Sequence, residues 1–249
     1  MAATKIAVIN KSTVEMETDE VQKVVAALQQ QVSRDFYPAW GLSADLRYAA
    51  DGNPQPGEWW LVILDDADQA GALGYHDVTS EGLPLGKVFA KTTRQYNEKW
   101  SVTASHELLE MLADPAINLT VFMEQQIGGR LYAYEVCDAC EADQFAYTIN
   151  GVEVSDFVLP SWFESFRNQG PFDHQNRIHK PLTLLEGGYI GIYDVASGGG
   201  WTQLTAEMIN ARARAPVGSR RERRNIPISK RIFSTAHVLS AQVALEPVH

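Results

Sequence analysis

His106, Glu107 and Glu110 stand in the run Ser105-His106-Glu107-Leu108-Leu109-Glu110-Met111-Leu112-Ala113-Asp114-Pro115. A helix over this run puts His106 and Glu110 on one face, where an imidazole and a carboxylate can share a divalent cation. Glu107, one step round the same rim, is then placed to act as a general base beside that cation. Ala104, Leu108 and Leu112 recur at the spacing of a core-facing stripe on another side. Asp114-Pro115 ends the helix, because the residue before a proline is pushed out of the helical region.

Further along, Tyr134-Glu135-Val136-Cys137-Asp138-Ala139-Cys140-Glu141-Ala142-Asp143 carries four acids and two thiols. A third protein ligand is expected from Glu135 or Asp138. In an extended chain Glu135 and Cys137 share a face; in a helical one Glu135 and Asp138 converge. Cys137 and Cys140, the only two cysteines, form a lone C-x-x-C without the second pair of a zinc site or the setting of a redox helix, and read first as structural thiols. One histidine with two carboxylates offsets the whole charge of a divalent ion, so a bound water is acidified less than at a site of two histidines and one carboxylate. Slow turnover or a need for alkaline pH is expected. One divalent metal is implied, with manganese or calcium suited to the oxygen-rich set as well as zinc.

The chain that positions these residues has 249 residues, 45% of them apolar and 21% charged, which is the make-up of a soluble globular protein able to bury a substantial core. Neither a signal-peptide pattern at the start nor a membrane-length apolar run is evident, so a cytoplasmic protein without membrane association is expected. The net charge of −10 is uneven. Seven arginines and Lys230 against Glu222 give Arg212 to Arg231 a charge of +7, which leaves −17 on the rest. An acidic body argues against nucleic acid as a partner.

Lys5 to Asn10 reads as a buried strand, and Val21, Val24, Val25, Leu28, Val32 and Phe36 mark a long amphipathic helix after Thr18 as N-cap, ending near Pro38. Strands are expected at Leu42 to Ala49, Trp59 to Leu64, Ala72 to Thr79 and Gly86 to Thr92, the third at a sheet edge because it is the more polar. Asn150-Gly151 between alternating runs signals a hairpin with a two-residue turn. Pro181 to Asp194 and Trp201 to Leu204 are β-prone, and the arginine-rich stretch leads to a tail from Ile232 to Leu245.

This order of elements, together with the H-E-x-x-E helix, resembles the N-terminal subdomain of the zincin metallopeptidases, in which a twisted sheet backs the active-site helix and an edge strand holds the substrate extended. The segments HELLEMLADP, YEVCDACEAD and NGVEVSDFVLPSWF are similar to those of a group of uncharacterised bacterial proteins carrying H-E-x-x-E. A helix followed by E-x-x-D-x-C also occurs in the plant phosphate-induced proteins. Zincins carry H-E-x-x-H, and Glu110 stands here at the second histidine.

The resemblance implies an α+β, zincin-like fold: a twisted mixed β-sheet backed by a long helix and the active-site helix, followed by an irregular β-rich C-terminal subdomain. The corresponding divisions are 1–116, 117–205, which completes the metal site, and 206–249, the arginine-rich linker and tail. It implies a zinc-dependent peptidase acting on a peptide or protein. Glu107 would be the general base, His106, Glu110 and Asp138 or Glu135 the ligands, and Asp138 is preferred because it fits E-x-x-D. His76 on the edge strand would line the cleft, and His174, His179, Tyr189 or Tyr193 would stabilise the oxyanion. A metal-binding module without hydrolysis is the rival that Glu110 favours, a thiol redox protein is a second, and the tail is a candidate latency segment.

Overall fold

A computed structural model describes residues 3–69, 72–124 and 128–206. The expected latency segment and arginine-rich linker lie outside them, apart from the first residue of that division. The described residues are α+β, with three sheets.

The first strand, β1 (Thr4–Asn10), leads into helix α1 (Thr18–Gln30), which runs through a π-helical stretch at Gln31–Phe36 into a short helix α2 (Tyr37–Trp40). Then come β2 (Ala44–Tyr48), β3 (Trp59–Leu64), β4 (Gly74–Val78), β5 (Pro84–Phe89), helix α3 (Ala90–Gln95) and helix α4 (Trp100–Ala113). These five strands form one sheet in the order β2-β1-β3-β5-β4. β1, β2, β3 and β5 are parallel, and β4 runs antiparallel along the edge of β5.

Alternation along the strands splits the interior in two. Ile6, Val8, Leu61, Ile63 and Val88 join the α1 stripe and Leu108, Leu109 and Leu112 of α4 in one core, while Ala7, Ile9, Trp60, Val62 and Leu85 fill a smaller cluster behind the sheet. Both helices therefore lie on one face. β1 and β3 are apolar on both faces, so both sides of the sheet need cover, and the apolar stripe of α1 supplies it on this one. No helix among the described residues is long and apolar enough to cross a membrane.

Three local expectations are corrected. The strand expected at Gly86 to Thr92 stops at Phe89, and Ala90–Gln95 is helix α3. Thr18 is the first helical residue rather than the cap, with Glu17 preceding it in extended conformation. Pro38 does not end the helical path: the π-helical stretch intervenes, and Pro38 falls in the first turn of α2, where a missing N–H costs nothing. Gly41, at φ +68°, makes the stop.

The second half adds β6 (Thr120–Glu124), β7 (Gly129–Ala133), the small hairpin β8 (Tyr147–Ile149) and β9 (Val152–Val154), then β10 (Tyr189–Asp194) and β11 (Trp201–Thr205). The longer strands form an antiparallel sheet in the order β11-β10-β7-β6. The β8–β9 turn is Asn150-Gly151 as expected, both with positive φ. A single apolar cluster runs from Ile6 through Val136, Phe157 and Trp162 to Ile190, so the sequence divisions at 116 and 117 share one core.

Candidate functional site

Helix α4 is enclosed. Thirteen of its fourteen residues are buried, including Ser105, His106, Glu107 and Glu110. A helix of mixed polarity can sit this deep only if its polar groups meet partners. Ser105 Oγ donates to Gln31 Oε1 at 2.7 Å and accepts from the Ser155 N–H at 3.0 Å. Gln31 Nε2 in turn donates to the Ser155 carbonyl at 2.9 Å. The π-helical stretch brings the Gln31 side chain to this point, tying α1, α4 and the residue after β9 together.

On its sheet-facing side α4 comes unusually close. A Cβ on Gly74 would stand 2.9 Å from Glu107 Cγ and 2.6 Å from Thr103 Cγ2, and one on Gly86 would stand 3.6 Å from Glu107 Cβ. Glycines on β4 and β5 thus let Glu107 settle against the sheet. His76 is paired in register with Gly86 across the two strands, so its ring shares the helix-facing side with the space that Gly86 leaves.

The sequence candidates then fall into two groups. His106, Glu107, Glu110, Glu135, Asp138 and His76 come together, all buried. His106 Nε2 lies 3.1 Å from Glu110 Oε2 and 3.2 Å from Asp138 Oδ1. Asp138 begins a buried 3-10 turn, Asp138–Cys140. Gly188, before β10, packs there so tightly that a Cβ would lie 2.4 Å from the Ala139 carbonyl oxygen. Glu110 Oε1 accepts the Cys137 N–H at 3.1 Å, which fixes its carboxylate against the same loop. His76 Nδ1 lies 3.6 Å from Glu107 Oε2 and 3.9 Å from Glu110 Oε2.

Of the oxyanion candidates, His174 and His179 line a different cavity of about 540 Å³ with Pro171, Phe172 and Asn176; no member of the His106 cluster lines it. His174 is held there by stacking on Phe157 and by Asp35 at 3.8 Å. The Tyr193 ring packs on Trp201 in the antiparallel sheet. Tyr189 follows Gly188 and so has a backbone neighbour on the Asp138 turn. β4 is an edge strand, as expected, but its polar character has another cause. His76 and Asp77 are wholly buried: His76 lies under α4 by Glu107, and Asp77, on the opposite face of the strand, accepts the Val78 N–H at 2.8 Å.

The electrostatics follow from burial. Desolvation disfavours charge on His106, yet Glu110, Asp138 and Glu107 overcome it and hold the imidazole pKa well above its ordinary value in the metal-free protein. Burial, with Glu135 nearby, raises the Asp114 carboxyl, which also accepts the Asn118 and Leu119 N–H groups. Cys137 and Cys140 are free, buried thiols pushed well up, first by desolvation and then by the surrounding carboxylates. A thiol so placed yields little thiolate, which disfavours redox chemistry.

Two of the separations that a shared divalent ion needs are present. At bond lengths of ~2.0–2.1 Å, tetrahedral ligand atoms stand roughly 3.3–3.4 Å apart, close to the separations of His106 Nε2 from Glu110 and Asp138. Ligand atoms of His106, Glu110 and Cys137 all lie within 4.8 Å of one another, as do those of His106, Asp138 and Glu141. Sequence reasoning left Glu141 out of the ligand choice and gave His76 only a cleft-lining role. It also missed Gly74 and Gly86, whose effect shows only when two strands meet one helix.

Deeper in the second half, Asp156 and Asp173 are both fully buried. Two carboxyl groups can bond each other only if one keeps a proton, and burial followed by Asp173 raises the Asp156 pKa to about 8. The folded protein then keeps a proton that the unfolded chain loses near pH ~4. Stability from this pair is complete below that pH, falls as pH rises, and levels off above about 8. Asp156→Asn keeps a donor and removes the titration. Its melting temperature should fall less between pH 5 and pH 8 than that of the parent, by roughly 3–5 °C per pH unit. Equal slopes in a thermal scan would show that Asp156 is ionised when folded.

Compared with known proteins, the chain matches no family model, no curated protein and no solved structure.

Proposed function

We propose that the protein is a metal-dependent hydrolase of the zincin type, acting on peptide bonds, with His106, Glu110 and Asp138 as ligands of a divalent ion and Glu107 as general base. The observation that carries this reading is the convergence of Glu110 Oε2 and Asp138 Oδ1 on His106 Nε2, at 3.1 and 3.2 Å, beside Glu107 on the same helix. An antiparallel edge strand beside the helix supports the zincin likeness. Zinc is the preferred ion, with manganese next because two of three ligands are carboxylates.

A divalent ion bound there would supply Lewis-acid chemistry, acidifying a water and polarising a carbonyl. The protein does the rest. Glu107, pressed against Gly74 and Gly86, accepts the proton of the attacking water and returns it to the leaving amine. Cys137 N–H holds Glu110 in place, and the Gly188 approach holds the Asp138 turn.

One observation favours a second reading, a metal-binding module without hydrolysis. His106 is only 7% exposed and Glu107 3%, so an extended peptide needs an opening motion to reach them. Elemental analysis after exhaustive dialysis tests the shared premise. At least one divalent ion per chain is expected, with content lowered by at least one ion in both His106→Ala and Glu110→Ala. A metal-free protein, or content indifferent to both changes, removes the metal site and with it the hydrolase.

A further inference from the structure

We infer that Gln31 and Ser105 are positioning residues of the candidate metal site: with the segment 153–158 they set the register of helix α4 against the loop that carries Asp138. Their role rests on the metal-site reading above.

Ser101 and Ser105 are four residues apart on α4 and point the same way. Ser101 Oγ donates to the Glu153 carbonyl at 2.8 Å, and Ser105 Oγ accepts the Ser155 N–H at 3.0 Å. Four residues of helix rise about 6 Å and two residues of strand about 6.6 Å. The two hydroxyls therefore match the repeat of the chain beside them, and α4 is held against sliding along β9. Gln31 holds it against turning. Its Oε1 takes the Ser105 hydroxyl hydrogen at 2.7 Å while its Nε2 donates to the Ser155 carbonyl at 2.9 Å, so one amide grips helix and strand together. Gln31 is itself steadied at Tyr147 Oη, 3.2 Å away, which in turn donates to Asp35 Oδ2 at 2.9 Å.

Ser105 immediately precedes His106, and successive helical side chains leave the axis about 100° apart. Fixing Ser105 thus fixes the direction of His106, and with it Glu110, four residues on. The apolar contacts of Leu108, Leu109 and Leu112 cannot do this, because burial of apolar surface is non-directional. The same segment reaches the third ligand. Past Ser155, the Val158 N–H donates to the Val136 carbonyl at 2.7 Å, next to the turn that Asp138 begins. One short stretch of chain therefore bonds both pieces that carry ligands, and the 3.2 Å between His106 Nε2 and Asp138 Oδ1 is set across it.

Gln31 and Ser105 are both wholly buried. Two apolar side chains would fill such a place without desolvating an amide and a hydroxyl, so packing alone does not account for them. A buried polar network whose members are bonded specifies one arrangement. That is what ligand separations of 3.1 and 3.2 Å require.

The test uses the full chain, stripped of metal by chelation and dialysis and titrated with Co(II) alone, read by its visible absorption, which reports coordination geometry. In Ser105→Ala and in Gln31→Leu the dissociation constant should rise about tenfold, the lower end for loss of a group that orients a ligand. The visible bands should also change in position or intensity. Val62→Ala, which opens a cavity on the other face of the sheet, should lower the melting temperature and leave affinity and spectrum unchanged. A variant indistinguishable from the unmodified protein in constant and spectrum overturns the role of its residue and leaves the metal site standing. Losses equalled by Val62→Ala overturn both roles. Where a variant does not fold, Ser101→Ala, which loses one bond to β9, should show a smaller rise, and an unchanged constant and spectrum there overturns the positioning. No Co(II) bound by the unmodified chain overturns the metal-site reading and the positioning with it.

Discussion

Glu107→Gln is expected to lower hydrolysis of an unfolded polypeptide substrate by about 10²–10⁴-fold, the range a positioned general base contributes, while leaving the metal content of the protein unchanged. Glutamine keeps the size and most of the packing of the side chain against Gly74 and Gly86, and it loses only the ability to take a proton. His106, Glu110 and Asp138 are untouched, so elemental analysis should match the unmodified protein. The same comparison separates the two readings. Cleavage that falls with metal retained is the signature of a base acting on water. A protein that binds metal but shows no cleavage before or after the change is the binding module. Cleavage unaffected by the change would place the base elsewhere and remove Glu107 from the mechanism.

The motion required for turnover also bears on this experiment. If the protein is the proposed hydrolase, a substrate would reach Glu107, 3% exposed, only by parting α4 from the strand or loop that covers it. Three short segments converge on the helix: β4 with Gly74 and His76, the turn at Asp138–Cys140, and the residues around Ser155. The Gln31 and Ser105 network ties the last of these firmly. The Asp138 turn is crossed by Gly188 at the start of a strand from a different sheet. β4 is the outermost strand of its sheet, held laterally by β5 alone.

What the sequence makes legible is whatever a short local pattern states. β1 and β3 are unbroken apolar runs, the apolar residues of α1 recur at helical spacing, and Asn150-Gly151 needs two positive φ values; each pattern states its own structure. The joining of His106 to Glu110 is legible for the same reason, being a matter of helical spacing within one element. Contacts between elements are not. His76 meets Glu107 across a gap of more than thirty residues in sequence, which is set by a strand register and by the glycines opposite. β6 has residues alternating between exposed and half-buried, so its sequence TVFME lacks the apolar run that marked the inner strands. Gln31, the first residue of the π-helical stretch, finds its partner in Ser155, far along the chain. Burial of α4 on every side was also hidden, because a stripe of Ala104, Leu108 and Leu112 looks the same on a half-exposed helix.

Chelating the metal is expected to lower the melting temperature at pH 8 by about 8–16 °C. An ion present at a thousand times its dissociation constant contributes about 4 kcal/mol, and each kcal/mol moves the melting point of a protein of this size by about 2–4 °C. The effect must depend on pH, and the sign follows from His106. Against desolvation, Glu110, Asp138 and Glu107 raise its pKa well above the ordinary value in the metal-free protein. Its protonated form therefore stabilises the chelated protein fully below about pH 6.5, the unfolded value. That contribution is lost as pH rises through the raised folded value. At low pH a proton on His106 stands in for the ion, and metal binding is itself weakened because the ligand must lose that proton. The gap in melting temperature between loaded and chelated protein should accordingly be small near pH 5.5 and widen towards pH 8.5. Differential scanning fluorimetry with and without chelator across that range measures it. A gap absent at every pH means that no ion is bound. One equally wide at pH 5.5 and 8.5 means that the ion is not competing with a proton at His106, and that the ligand set lies elsewhere.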